Sequence, residues 1–337
     1  MTAPNTAPAR SATARFDAVL RERVLAHGGS DAARAAGAWL VEIGSGSVES
    51  VVFFGSRKSG AGFDASSAHD LFVITRDYRD FYAALRRTGR LRRPAWLLAQ
   101  LNRWLPPSQL RLELGSGSAP VTAKCAVIDA DAFRRDTGPA RRDHFCLGRM
   151  CQPVEIVAAL DAEAEALALA AITSAHRLAY RWVRPWLPGS FDVDELYRTL
   201  LRVSLAGEIR PESSRRAEAL WAAQREHRSG VYPVLLRELA DSGELEEVAD
   251  GRYRCRRPAG AWERLRLRSY FQWSRVRATL RWGKHVVTFD DWLDYILRKA
   301  QRHTGRPIEL TAAERRHPLL LLWPRLLRYL RDKESPR

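Results

Sequence analysis

Residues 51–75 read VVFFGSRKSGAGFDASSAHDLFVIT, and the two apolar ends of this stretch decide how the chain is read. Residues 51–54 carry no polar side chain and stop at Gly55-Ser56, the pattern of a buried strand running into a turn. A polar, glycine-rich loop follows. A second apolar run, residues 70–75, then opens with a carboxylate. Glycine adds no Cβ, so the backbone after such a strand can close on a phosphate, and successive N–H groups with the Ser56 hydroxyl can donate to its oxygens. Arg57 and Lys58 add positive charge at once. An aspartate at the head of a neighbouring strand puts a carboxylate beside that turn, where it can hold a metal ion bridging phosphates. Gly55, Ser56, Arg57 and Lys58 are therefore candidate nucleotide-binding residues, and Asp70 is the candidate catalytic residue and metal ligand. Enzymes of this kind usually carry Asp-x-Asp, and here the first position is Ala68. Asp64, Glu113 or Asp129 would have to supply a second acid; Glu113 sits centrally in LRLEL and is the metal-ligand candidate among them.

Outward from this unit, residues 16–43 have helical spacing and lead into the first strand from residue 48. A helix is expected over residues 78–87, and strands at 110–114 and 123–128 bracket the loop GSGSAPVT. Strand, turn, strand, helix and strand pair predict a small mixed sheet with helical cover. From residue 155 the composition turns helical, until Pro185, Pro188 and Gly189 interrupt it. Helices are expected at 192–206 and 212–227, then a further helix, a glycine turn and two short strands around Asp250-Gly251, a hairpin signal. Helix plus hairpin is the outline of a winged-helix unit. Helices near 263–280, 289–303 and 311–332 close the chain. The expected fold is α+β: a disordered tail over 1–14, a nucleotidyltransferase-fold domain with a mixed sheet over 15–155, a helical and winged-helix-like domain over 156–262, and a basic helical region over 263–337.

The 337 residues carry 55 Lys and Arg against 39 Asp and Glu, a net charge of +16. Residues 263–337 hold 18 of the bases and 8 of the acids. Such an excess points to anionic partners: nucleotide phosphates, acidic lipid or nucleic acid. A winged helix attached to an enzyme is more often a packing module, so nucleic acid is not the expected partner. The four cysteines form no CxxC pair, which argues for reduced thiols and against zinc. No apolar run is long enough to cross a bilayer, and residues 1–16 lack the apolar segment of a secretory signal. The expected setting is cytoplasmic. In the tail ERRHPLLLLWPRLLRYLRDK, Arg325, Arg328 and Arg331 share one helical side and Leu326, Leu327 and Leu330 lie toward the other, the pattern of a membrane-surface helix.

The ordered motifs resemble the mitochondrial-type phosphatidate cytidylyltransferases, the translocator assembly and maintenance family. That family has an apolar strand into Gly-Ser and a single Asp opening the next strand, as at Asp70-Leu71-Phe72. A strand of the type K-Y-G-V-I is matched by Lys124-Cys125-Ala126-Val127-Ile128. A later block shares Gly148, Arg149, Pro153 and Val154, and the island SLAGEIR offers Ser204, Gly207, Glu208 and Arg210. The C-terminal third matches only through Arg277, Tyr295 and Lys299. Arg57 stands where the family has the second Gly of Gly-Ser-Gly, Glu208 replaces Asp and Gln152 replaces Lys. The resemblance implies Mg²⁺-dependent synthesis of CDP-diacylglycerol and pyrophosphate from CTP and phosphatidic acid, by an enzyme peripheral on the inner face of a membrane. It also implies that Lys124 binds nucleotide and that Arg149 and Arg210 contact the lipid phosphate. Two other functions fit the same residues: nucleotidyl transfer to a small soluble acceptor, and a non-catalytic winged-helix regulator that binds nucleic acid.

Overall fold

The computed structural model describes residues 7–26, 28, 30–61, 68–114, 121–207, 214–249, 251–288, 310–311 and 313–314. Two compact units result, residues 1–284 and 285–337. In the second, the Thr311 N–H and hydroxyl both donate to the Glu314 carboxylate, at 2.9 and 3.0 Å. The boundaries expected at 155 and 262 both fall inside the first unit.

The first unit is α+β, built on a mixed sheet of five strands: β1 (Val48–Phe54), β2 (His69–Thr75), β3 (Ser108–Leu114), β4 (Val121–Asp129) and β5 (Glu155–Ala159). Their order is β3-β4-β2-β1-β5, with β2 and β4 parallel and every other pair antiparallel. Side chains alternate across this sheet and feed two cores. Val51, Phe53, Leu71, Val73, Cys125 and Val127 pack with α2 (Asp31–Gly44), α4 (Tyr78–Arg87) and α5 (Ala95–Trp104). Val52, Phe54, Phe72, Ile74, Ala126 and Ile128 face the larger core. That core takes in α1 (Ala7–Leu25), α6 (Ala130–Thr137), α7 (Phe145–Met150) and α8 (Ala162–Val183). It continues without a break into α9 (Val193–Ala206), α10 (Ser214–Ala223) and α11 (Arg225–Asp241), and into the hairpin β6 (Leu245–Ala249) and β7 (Arg252–Cys255).

Several elements differ from the sequence reading. The first helix begins at Ala7, inside the stretch read as a disordered tail, and the single helix expected over 16–43 is two. Ser30 starts the second by accepting from the Ala33 N–H. Residues 155–159, read as the start of a helical region, form edge strand β5 against β1. Its Glu-Ile-Val-Ala-Ala pairs with the apolar β1, and Asp161 then caps α8 by accepting from the Ala164 N–H at 2.8 Å. The helix expected over 212–227 breaks at Gln224, whose side-chain Oε1 accepts from the Tyr197 hydroxyl while its side-chain NH₂ donates to Gln152 Oε1. Helices α5, α6 and α7 fall where no element was expected. The expected hairpin forms between β6 and β7, with Gly251 at φ 72°, and Phe191 pairs with Tyr253 to add a bridge beside it. The helices expected at 289–303 and 311–332 lie outside the described residues but for a few positions.

The last long helix, α12 (Ala261–Thr288), is fastened by charge. Arg277 Nε and Arg281 Nη1 each donate to Asp143 Oδ2 at 2.8 Å. Burial alone would raise the Asp143 carboxyl; Arg281 and Arg277 outweigh it and hold the group below the ordinary range. Ser274 Oγ accepts from the His144 N–H at 3.0 Å, and buried Lys284 donates to the Leu105 carbonyl at the end of α5. Burial, with Arg281 and Arg277 nearby, lowers the Lys284 ammonium well below its usual value.

Among the buried histidines, His144 and His176 are held in the neutral form. Burial and the charge of Arg141 lower His144 to about 3, and burial lowers His176 to about 4, from an ordinary 6.5. A depressed folded pKa means that unfolding takes up a proton, so this stability is complete above 6.5 and is lost as pH falls toward the folded values. Denaturant unfolding should show each histidine withdrawing about 2 kcal/mol by about pH 5 relative to neutral pH. His176→Phe should flatten the profile by about one such increment; a stability independent of pH over this range would contradict the burial.

Candidate functional site

At the end of β1 the chain passes close against the start of β2. Phe54 and Asp70 are paired across the two strands. Gly55 then turns with φ 85° and ψ −163°, a conformation that favours glycine. A Cβ there would stand 2.5 Å from Asp70 Oδ2 and 3.1 Å from Asp70 Cβ, so residue 55 has no room for a side chain while the carboxylate keeps its place. Ser56 opens the short helix α3 (Ser56–Ser59). On the other side of β2, Asp70 pairs with Lys124 of β4, and Lys124 in turn with Arg111 of β3. The strand period places Asp70, Lys124, Arg111 and Glu113 on the face that carries Phe54 and Phe72. Gly55, Ser56, Asp70 and Lys124 are half-buried, while Arg111 and Glu113 are exposed. One end of the sheet therefore offers a glycine turn, one carboxylate and a lysine to solvent.

Arg57 and Lys58 point elsewhere. Arg57 Nη1 lies 2.9 Å from His69 Nε2, and that nitrogen is 3.0 Å from Ser30 Oγ. Burial, helped by the charge of Arg57, lowers the His69 pKa. Lys58 Nζ donates to Glu155 Oε2 at 2.6 Å, and Arg34 meets the other oxygen at 3.4 Å; the Glu155 side chain is fully buried. His69 and Glu155 lie on the opposite face of the sheet from Asp70, so two of the expected nucleotide-binding residues instead tie the turn to α2 and β5.

The remaining candidates divide. The Arg149 guanidinium lies 3.8 Å from the centre of the Phe145 ring and donates to the Phe145 carbonyl at 3.0 Å. Phe145 sits edge-on to Phe72 at 5.9 Å, which places Arg149 over the same sheet face as Asp70. Gly148 lies so close to Ser204 that a Cβ would overlap Ser204 Oγ, so two motifs some fifty residues apart meet in space. Glu113 is not brought beside Asp70: two strands across and two residues along, their Cα atoms are separated by about 12 Å. Asp129 is about 16 Å away at the far end of β4, where it accepts from the Ala132 N–H at 2.7 Å and caps α6. Asp64 and Arg210 lie outside the described residues. Among the described residues no three His, Cys, Asp or Glu side chains are grouped to hold a metal ion. Asp70 alone suits an ion that arrives on phosphates and takes its other ligands from phosphate oxygens and water. The cysteines are unpaired. Burial, reinforced by the charge of Asp70, pushes the Cys125 thiol up to about 12, too high for a nucleophile at neutral pH.

Sequence reading missed the Glu155, Arg34 and His69 supports and the Asp143 pair with Arg277 and Arg281. A glutamate opening an otherwise apolar strand was the available signal for the first. The chain matches no family model and no curated protein.

The contact between residues 55 and 70 can be tested directly. Gly55→Ala should cost about 1–3 kcal/mol of folding stability, because the new methyl meets the Asp70 carboxylate and the backbone conformation is strained. Removing that carboxylate relieves part of the clash, so Gly55→Ala combined with Asp70→Ala should cost less than the two singles added. Strict additivity in denaturant unfolding would mean that the two residues do not touch.

Proposed function

We propose that this chain is a Mg²⁺-dependent nucleotidyltransferase that passes the cytidylyl group of CTP to phosphatidic acid, forming CDP-diacylglycerol and releasing pyrophosphate. The observation that carries the reading is the Gly55 turn pressed against Asp70 at paired strand ends, with Lys124 on the adjoining strand. A mixed sheet in which a Gly-Ser turn and a strand-opening Asp are antiparallel neighbours suits the nucleotidyltransferase fold. The meeting of Gly148 with Ser204 supports the family resemblance, since both belong to its motifs.

In this reaction a lipid phosphate oxygen attacks the α-phosphorus of CTP, and the bond from that phosphorus to the β-phosphate oxygen breaks. The nucleophile is already an anion, so positioning and charge neutralisation do most of the work and no general base is required. The Gly55-Ser56 backbone and hydroxyl would receive the triphosphate. Asp70 would hold the metal ion, which supplies charge neutralisation at the phosphates. Lys124 would stand beside the phosphates, and Arg149, over the same face, would meet the lipid phosphate. Arg57 and Lys58 act here as supports of the turn.

A second reading draws on Ala68, buried where a second acid is usual: nucleotide binding without transfer. Nucleic-acid recognition gains less. The order α8, Phe191, α9, α11, β6, β7, with Phe191 paired to Tyr253, fits a winged-helix outline. Yet α11 is packed along α1, where Arg23 pairs with Glu226 and lies against Gly230.

The test is to incubate the protein with each α-labelled nucleoside triphosphate, Mg²⁺ and phosphatidic acid vesicles, then separate the lipids. Label from CTP should enter lipid. Asp70→Asn should stay folded and lose roughly a thousandfold or more in rate, one metal-ligand charge being worth several kcal/mol. A folded Asp70→Asn protein with normal turnover would overturn the assignment of Asp70. Label appearing only in a soluble acceptor, or CTP binding with no transfer, would overturn the lipid reaction.

A further inference from the structure

Helix α12 shows the solvent a face that a water-soluble helix rarely carries. Trp262, Leu265, Trp273, Val276 and Leu280 are exposed, the two indoles by 77% and 53%. At 100° per residue these five side chains fall within an arc of about 80°. The helix is held down by a different set: Leu267, Phe271, Ser274, Arg281 and Lys284 are buried. The apolar stripe is therefore not the surface that anchors the helix. Exposed Arg266 lies just beside one edge of it, and exposed Arg264, Arg268 and Arg275 lie beyond the other. Glu263, the one acid in α12, is already paired with Arg184. The α5 end to which Lys284 is bonded carries another exposed indole, Trp104, at 65%.

We propose that this face of α12 docks on an anionic membrane surface, with the indoles and leucines entering the interface and the flanking arginines meeting lipid phosphates. Indoles and arginines on one helix are the side chains that settle at the boundary between headgroups and acyl chains. Charge decides between a membrane and a second copy of the chain. Two copies meeting through this face would bring their arginine flanks together with no exposed acid on the helix to offset them, whereas an anionic surface attracts both flanks. The proposal rests on the lipid acceptor of the reaction above only for its purpose; the docking itself needs no catalysis.

The experiment separates the two. Full-length protein is sedimented with vesicles of phosphatidylcholine alone and of equal parts phosphatidylcholine and phosphatidic acid. It should sediment with the mixed vesicles, and Trp262→Glu with Trp273→Glu should weaken that binding roughly tenfold or more. The circular dichroism spectrum should not change, because both side chains are exposed. The same variant should keep its turnover of CTP on a short-chain, monomeric phosphatidic acid while losing it on vesicles. If neither protein turns over CTP but the sedimentation difference stands, the docking holds and the reaction fails. Should the tryptophan variant unfold, Arg264→Ala, Arg266→Ala and Arg268→Ala together must weaken binding and reduce its salt dependence. Binding equal to wild type in the folded variant overturns the proposal. So does a wild-type protein that stays in the supernatant and dimerises or binds duplex DNA through this face.

Discussion

The Asp70 carboxylate occupies the space where a side chain at residue 55 would begin. The conformation of the turn follows from this exclusion. It fixes glycine at the turn, and glycine permits the positive φ that swings the chain into α3. The direction taken there sends Arg57 and Lys58 behind the sheet, where His69 and fully buried Glu155 receive them. A buried carboxylate in a protein interior needs its partners, and losing one typically costs several kcal/mol. The Lys58–Glu155 pair is thus a clamp between the turn and edge strand β5, and it leaves the front of the turn to Ser56, Asp70 and Lys124.

How far this was legible depends on the range of each interaction. Strands β1 to β4 could be read because β1, β2 and β4 carry apolar runs and β3 alternates, each bounded by turn chemistry, and Gly55 and Asp70 stand at those boundaries. The strand at 155–159 was hidden by its neighbour: the Ala-rich stretch that becomes α8 follows at once, and five residues cannot show a period against it. Sequence order also suggested that Arg57 and Lys58 would act with Ser56. Alternation assigns faces along a strand, but it stops at a turn, and their partners come from elsewhere in the chain. Glu155 lies 97 residues from Lys58, a pairing that no local pattern contains. Glu113 failed for a related reason. Its face could be read, but its distance from Asp70 is set by strand order, which only the pairing of β2 with β4 reveals.

The number of basic residues is a poor guide to anion binding in this chain because many of them are paired internally, even though such pairing leaves the net charge of +16 unchanged. Arg177 bridges Asp17 and Glu238, Arg181 meets Glu244, Arg184 meets Glu263 and Arg228 meets Asp194. These pairs lace α1, α8, α9, α11, the turn before the hairpin and α12 around the larger core. Where the pairs are exposed each adds little stability; their effect is to leave a smaller and more localised set of arginines facing solvent.

Asp143 joins the two ends of the functional argument. One of its oxygens accepts from the N–H of Phe145, the first residue of α7, at 3.0 Å, while the other takes both Arg277 and Arg281 of α12. Phe145 in turn carries Arg149 on its ring and touches Phe72 of the sheet. The helix that bears the exposed apolar face and the arginine proposed to meet the lipid phosphate are therefore braced on the same carboxylate. A surface engaged by the outer side of α12 would be set in fixed relation to Arg149, and through Phe72 to the strand that begins at Asp70. Within this braced unit, delivery of a lipid phosphate would depend on how the molecule lies on the bilayer rather than on closure of a domain.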